Sequence, residues 1–193
     1  MEPEPLTAAE LASRLLRPRV LDEGLRSGLF IVRQRDNDRW HAFAWSLVAE
    51  LRRLGAGVMF VDAAEVGSSE IGVIEQDLRA KVLAVRRQLM PHEPVQQCAR
   101  CDKTLSELIR SIVDLTCNDL VLMVDHVGRL RGQPGGHLLK ALKAARDAAN
   151  VPADATRHFL LVAADSDPNA VSELTRDPNN AFFGAAAMDL TTA

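Results

Sequence analysis

At 193 residues, with 47% apolar and 25% charged side chains, the chain has the size and composition of one globular domain with a proper core. Its formal net charge of −3, from 26 acidic against 23 basic residues, excludes the electrostatic footprint of a nucleic-acid binder; the small cluster Arg14, Arg17 and Arg19 is flanked by Glu10, Asp22 and Glu23. No apolar run approaches the about 18 residues of a membrane span, the acidic start MEPEPLTAAEL is no signal peptide, and three cysteines make no disulfide framework, so a cytoplasmic location is expected.

In chain order, LTAAELASRLL opens a first helix with Thr7 and Glu10 spaced as a capping box, and Pro18 closes it. This N-terminal helix, within residues 1–19, precedes a core over residues 20–193. GLFIVR (28–33) is a continuous apolar run with the length of a buried strand. From Trp40 to Leu54 the apolar residues Phe43, Ala44, Leu47, Val48 and Leu51 recur at helical spacing, until Gly55 and Gly57 stop them. VMFVDA (58–63) is a second strand, and Ile71, Ile74, Leu78, Val82, Val85 and Leu89 mark a long helix over 69–90.

MPHEPVQQCARCDK breaks that pattern, and a further helix spans Thr104 to Leu115. LVLMVD (120–125) is the third strand, GRLRGQPGGH a glycine-rich loop, and LLKALKAARDAA (138–149) a helix. HFLLVAA (158–164) is a fourth strand, a short helix lies near Ala170 to Leu174, and AFFGAAAMDL holds a fifth strand.

Apolar strands alternating with helices predict a three-layer α/β/α sandwich around a mainly parallel five-stranded sheet. Ligands on such sheets bind beyond the carboxyl ends of the strands, which draws attention to the turns after residues 33, 63, 125 and 164.

This layout resembles a P-loop NTPase of the AAA+ or STAND type. LVLMVD ending at Asp125 looks like a Walker B strand, FLLVAADSDPNAVSEL like a sensor strand with its helix, and DPNNAFFGA like the stretch before the last core strand. The likeness runs over roughly residues 20–190. It implies a nucleotide site in the turn after the first strand, with the pattern G-x-x-x-x-G-K-[ST] on residues 34–41.

That pattern is absent. Gln34 and Arg39 stand where the two glycines belong, Trp40 at the phosphate-binding lysine, and His41 at the magnesium-binding hydroxyl. Glycines let backbone amides wrap a phosphate at dihedrals that side chains forbid, and an indole brings no charge to it. Asp36 and Asp38, beside the expected helix start, can accept the free amides that a phosphate needs. Asp125 keeps the carboxylate of Walker B, but His126 replaces the family's catalytic glutamate. No lid domain follows the fifth strand before Ala193, and Arg176 falls where the resemblance places an arginine that reaches a neighbouring subunit.

The expectation is a pseudo-ATPase domain with no catalytic residues, no cofactor and no metal. Its work is binding a protein partner, such as an intact ATPase relative, as a scaffold or regulatory subunit; a membrane partner is not expected, and an oligomer fits the same reading. The alternative is an ATPase that holds ATP and Mg through a non-standard loop, with Arg33, Arg35 and Arg39 in place of backbone amides. Trp40 is expected to pack in the core; Asp125 is read as an inherited Walker B aspartate, the alternative being a strand-end residue that caps a loop or pairs with a neighbouring arginine. Cys98 and Cys101 form C-x-x-C, with His92 and Cys117 nearby, a weak zinc candidate since a structural site needs four converging ligands. As a redox pair the motif is misplaced, because it follows a broken loop and not a strand.

Overall fold

Strands that are apolar throughout need cover on both faces, and the chain supplies it by sending its crossovers to opposite sides of one sheet. The computed structural model describes residues 7–16, 29–33, 37–64, 71–90, 104–116, 118–150 and 158–189. Its elements are α1 (Ala8–Leu16), β1 (Leu29–Arg33), α2 (Asn37–Arg53), β2 (Gly57–Asp62), α3 (Ile71–Leu89) and α4 (Leu105–Thr116). These are followed by β3 (Leu120–Asp125), a 3-10 turn (Val127–Leu130), α5 (Gln133–Asn150), β4 (Phe159–Asp165), α6 (Pro168–Arg176) and β5 (Ala186–Asp189).

The strands lie in the order β2-β3-β4-β1-β5, every pairing parallel. Successive side chains divide between two cores. Val32, Val58, Val121, Met123, Leu160 and Val162 pack with α1 and α2. Ile31, Met59, Val61, Leu122, Val124 and Leu161 pack with α3 to α6 on the other face. The architecture is the expected α/β/α sandwich.

From β1 the chain crosses through α2 to β2, whereas from its neighbour β4 it crosses through α6 to β5. Adjacent strands thus send their chains to opposite faces, and a crevice opens beyond their carboxyl ends. That is where the candidate site lies.

Local chemistry sets the ends of the elements. Thr7 and Glu10 form the expected capping box: Glu10 N–H donates to Thr7 Oγ1, and Thr7 N–H to Glu10 Oε2 at 2.9 Å. The Thr7 amide and hydroxyl hold the Glu10 carboxyl below its ordinary range. Thr104 and Glu107 repeat the box at α4. At the end of α5 the Asn150 side chain acts as a piece of ladder, donating to Phe159 O at 2.9 Å and accepting from Phe159 N–H at 2.8 Å.

Two boundaries differ from the sequence expectation by three residues or more. Helix α2 begins at Asn37, not Trp40, which puts Trp40 at its fourth residue. The glycine-rich segment is not one loop: Val127–Leu130 winds as a 3-10 turn and α5 begins at Gln133. Pro134 sits in the first turn of α5, where its missing N–H costs nothing, and two glycines behind it obscured the helical start.

Those two glycines have opposite surroundings. A Cβ on Gly135 would lie 2.2 Å from the backbone oxygen of Leu130, whereas one on Gly136 would meet nothing within 4 Å. Gly135→Ala is expected to lose about 1–3 kcal/mol of stability through overpacking against backbone. Gly136→Ala is expected to be neutral or to gain up to about 1 kcal/mol from helix propensity. Urea unfolding of the two variants beside the parent protein checks both signs.

Candidate functional site

The carboxyl ends of β2, β3 and β4 each carry an aspartate, because each apolar run closes on that residue: FVD, MVD and AAD. Asp125 is the most enclosed of the three, with no exposed surface, beside Asp165 at 6%. A buried carboxylate is costly unless donors reach its oxygens, so its partners define the local geometry.

The first partner comes from α2. Trp40, 2% exposed, donates its indole Nε1–H to Asp125 Oδ2 at 2.7 Å across 85 residues of sequence. Its ring stacks on Phe43 with centroids 6.0 Å apart. The second partner is the next amide in the chain, His126 N–H, which donates to Asp125 Oδ1 at 2.8 Å.

That short bond has a conformational cost. His126 adopts φ 50° and ψ 41°, the left-handed region, and is the only non-glycine among the described residues with a positive φ. The turn redirects its ring toward β2. There His126 Nδ1 lies 2.8 Å from Asp62 Oδ1; as the carboxylate can only accept, the proton sits on Nδ1. Asp62 Oδ1 also accepts Ala64 N–H at 2.8 Å, which closes the turn after β2. His41, on α2 and partly buried, brings its ring to 6.4 Å from that of His126.

Asp165 caps the neighbouring turns in the same way. Its Oδ2 accepts Gly128 N–H at 2.6 Å and its Oδ1 accepts Asp167 N–H at 2.8 Å. The strand-end carboxylates therefore work as acceptors for the protein's own amides and indole.

Of the residues singled out by sequence, the structure brings together Trp40, His41, Asp125 and His126. Trp40 is a core residue, as expected, and Asp125 caps the turn after β3 through the His126 amide, as one expectation had it, and also accepts the Trp40 indole. Arg39 is the third residue of α2. Arg176 is exposed at the last residue of α6, and no hydrogen bond or ion pair joins it to this cluster among the described residues. Gln34, Cys98 and Cys101, with Arg35, Asp36, His92 and Cys117, lie outside the described residues. Among the described residues no three His, Cys, Asp or Glu side chains are grouped to hold a metal ion, and no helix is long and apolar enough to cross a membrane.

Sequence reasoning pointed to the turns after residues 63, 125 and 164 but passed over Asp62, Gly128 and Asp165. The signal available was the aspartate closing each apolar run.

Neither a family model nor a curated protein sequence matches the chain. Solved structures do. The Walker-type ATPase PABY2304 of Pyrococcus abyssi is 13% identical with a TM-score of 0.59, over 94% of this chain and 52% of that one. The ORC2 protein of Aeropyrum pernix in its ADPNP–ADP complexes is 14% identical with a TM-score of 0.59, over 97% of this chain and 49% of that one. Its ADP form is 15% identical with a TM-score of 0.54. These likenesses establish a P-loop NTPase-like fold, and the chain spans about half the length of each of these proteins.

A Cβ on Gly128 would lie 2.8 Å from Asp165 Oδ2 and 3.0 Å from Ala170 Cβ. Gly128→Ala is therefore expected to push the carboxylate off its amide and cost about 1–3 kcal/mol. For a chain of this length that lowers Tm by about 2–4 °C per kcal/mol, which calorimetry reads directly.

Proposed function

We propose that this chain is a P-loop NTPase-like domain in which an internal contact takes the place of nucleotide, and that it serves as a scaffold or regulatory subunit binding another protein. The observation that carries this reading is the 2.7 Å bond between Trp40 Nε1 and Asp125 Oδ2.

In a phosphate loop the lysine reaches the β- and γ-phosphates, and the Walker B aspartate helps hold the magnesium ion. Phosphate and metal therefore occupy the space between those two positions. Aligned by motif, Trp40 is the lysine position and Asp125 the aspartate. Here they touch, with Trp40 2% and Asp125 0% exposed, which supports a crevice closed to phosphate between them. Nor does the donor set suit the group. An indole offers one neutral N–H, and the Asp125 oxygens already accept it and the His126 amide. His126, at the position of the catalytic glutamate, is turned away toward Asp62. Trp40, Asp125 and His126 do not suit Mg–ATP in the roles of that lysine, aspartate and glutamate.

A domain without ligand chemistry acts through its surface. The fold of nucleotide-dependent ATPases supports a partner drawn from intact ATPase relatives, with Arg176 as a residue available to a neighbouring subunit. A cytoplasmic setting belongs to the same proposal.

The test is thermal unfolding with and without millimolar ATP–Mg and ADP–Mg. A ligand at 100 times its Kd adds about 2.7 kcal/mol, several degrees for a protein of this size. We expect no shift. A clear rise in Tm that Asp125→Asn abolishes would contradict the reading and favour ATP held by a non-standard loop.

A further inference from the structure

We infer that the outer edge of β2 is a docking slot for an extended, acidic peptide segment, which joins the sheet as an added strand. The inference rests on the protein-binding role proposed above and names the surface through which it is exercised.

Among the described residues β2 pairs with β3 alone, so its other side is an open edge. Gly57 N–H donates to Asp119 O at 2.8 Å and Ala63 N–H to Asp125 O at 3.0 Å, both on the β3 side. Backbone groups alternate along a strand, so those of Val58, Phe60 and Asp62 face away from β3, with Val58 buried and Phe60 and Asp62 half-buried at the floor of the groove. The edge sequence Val58, Met59, Phe60, Val61 contains no proline, lysine or other charge. Proteins normally blunt free edges with such residues, and an unblunted apolar edge pairs with whatever strand can reach it.

Two helices wall this edge into a groove of about 570 Å³. From α2, Trp45, Val48 and Arg52 project at spacings of three and four; from α3, Lys81, Ala84, Val85 and Gln88 do the same. Trp45 is 60% exposed and stacks on Phe60 with centroids 5.6 Å apart. A whole second copy would have to bring its own α2 and α3 into the space these walls already frame. A lone extended strand has no such burden.

The walls also state the chemistry. Trp45 and Phe60 offer an apolar platform for one side chain of the incoming strand. Arg52, exposed and without an ion pair among the described residues, stands beside that platform, and Lys81 carries a second cation although it pairs with Asp77 at 2.8 Å. The groove's acid is Asp62, which is turned inward to His126. An alternating apolar and acidic segment meets the platform with one set of side chains and the cations with the other, while backbone bonds supply affinity.

The test uses capped heptapeptides of alternating valine and glutamate, their valine–lysine counterparts, and the valine–glutamate peptide N-methylated at alternate amides. Trp45 emission is the reporter, since the other tryptophan, Trp40, is buried at 2% exposure. We expect saturable binding of the acidic peptide with a blue shift, weaker binding of the lysine peptide, and none of the N-methylated one. Arg52→Glu should weaken the acidic peptide roughly fivefold, the scale of one rim charge. Val58→Pro removes an N–H that β3 does not use together with a side chain of the α1/α2 core, so a variant that keeps its circular dichroism spectrum should lose the peptide, and the N-methylated peptide tests the same bonds on the parent protein. Absence of acidic-peptide binding, or equal binding of the N-methylated form, overturns the proposal. So does a dimer in sedimentation that Val58→Pro dissociates, which would assign the edge to a second copy. Adding ATP–Mg to the same samples reads the nucleotide question separately: a thermal shift there contradicts the loss of the phosphate site and leaves the slot standing.

Discussion

Burying a carboxylate at the end of a central strand is the constraint around which this end of the molecule is organised. Asp125 has no water-exposed surface, and desolvating a carboxylate without donors costs several kcal/mol. Helix α2 must therefore bring its fourth residue within bonding distance, and His126 must take up left-handed dihedrals to return its amide. That turn aims the His126 ring at Asp62, which ties the end of β2 to the end of β3. The strain of a left-handed non-glycine, about 1–3 kcal/mol, persists because these bonds over-determine it. One buried acid thus fixes the start of α2, the turn after β3 and the end of the edge strand.

The same constraint bears on the nucleotide chemistry that the fold would otherwise suggest. A parallel sheet with crossovers on both faces creates a crevice at its carboxyl ends whatever residues line it. In nucleotide enzymes of this architecture the crevice is a positively lined, glycine-walled space. Here an indole and a carboxylate satisfy each other inside it. The architecture rests on the two apolar cores, one beneath α1 and α2 and the other beneath α3 to α6. On the proposed reading interaction falls to the surface, where the β2 edge lies beside the exposed Trp45.

Much of this was legible from residue order. The continuous apolar runs at 28–33, 58–63, 120–125 and 158–164 marked buried parallel strands, and the spacing of Leu47, Val48 and Leu51 marked the buried stripe of α2. Thr7 and Glu10 announced the first helix through a local rule that needs only four residues. The start of α5 was hidden because Pro134, Gly135 and Gly136 carry the composition of a loop, and only the close approach to Leu130 explains a glycine there. The bond between Trp40 and Asp125 was invisible for another reason. The two residues lie 85 positions apart, and a hydrogen bond between an indole and a distant carboxylate leaves no periodicity or spacing to read. The substitution at the lysine position could be seen; what the tryptophan does there could not.

The measurement that bears most directly on this account is a double-mutant cycle between Trp40→Phe and Asp125→Ala, followed by urea unfolding. Trp40→Phe keeps the ring and removes the N–H, leaving a buried acceptor short of its donor. A real bond predicts that the singles each cost about 1–3 kcal/mol and that their effects fall short of additivity by about 1 kcal/mol or more. Additivity within about 0.5 kcal/mol would mean the two side chains do not interact, and the proposed closure of the crevice would lose the observation that carries it.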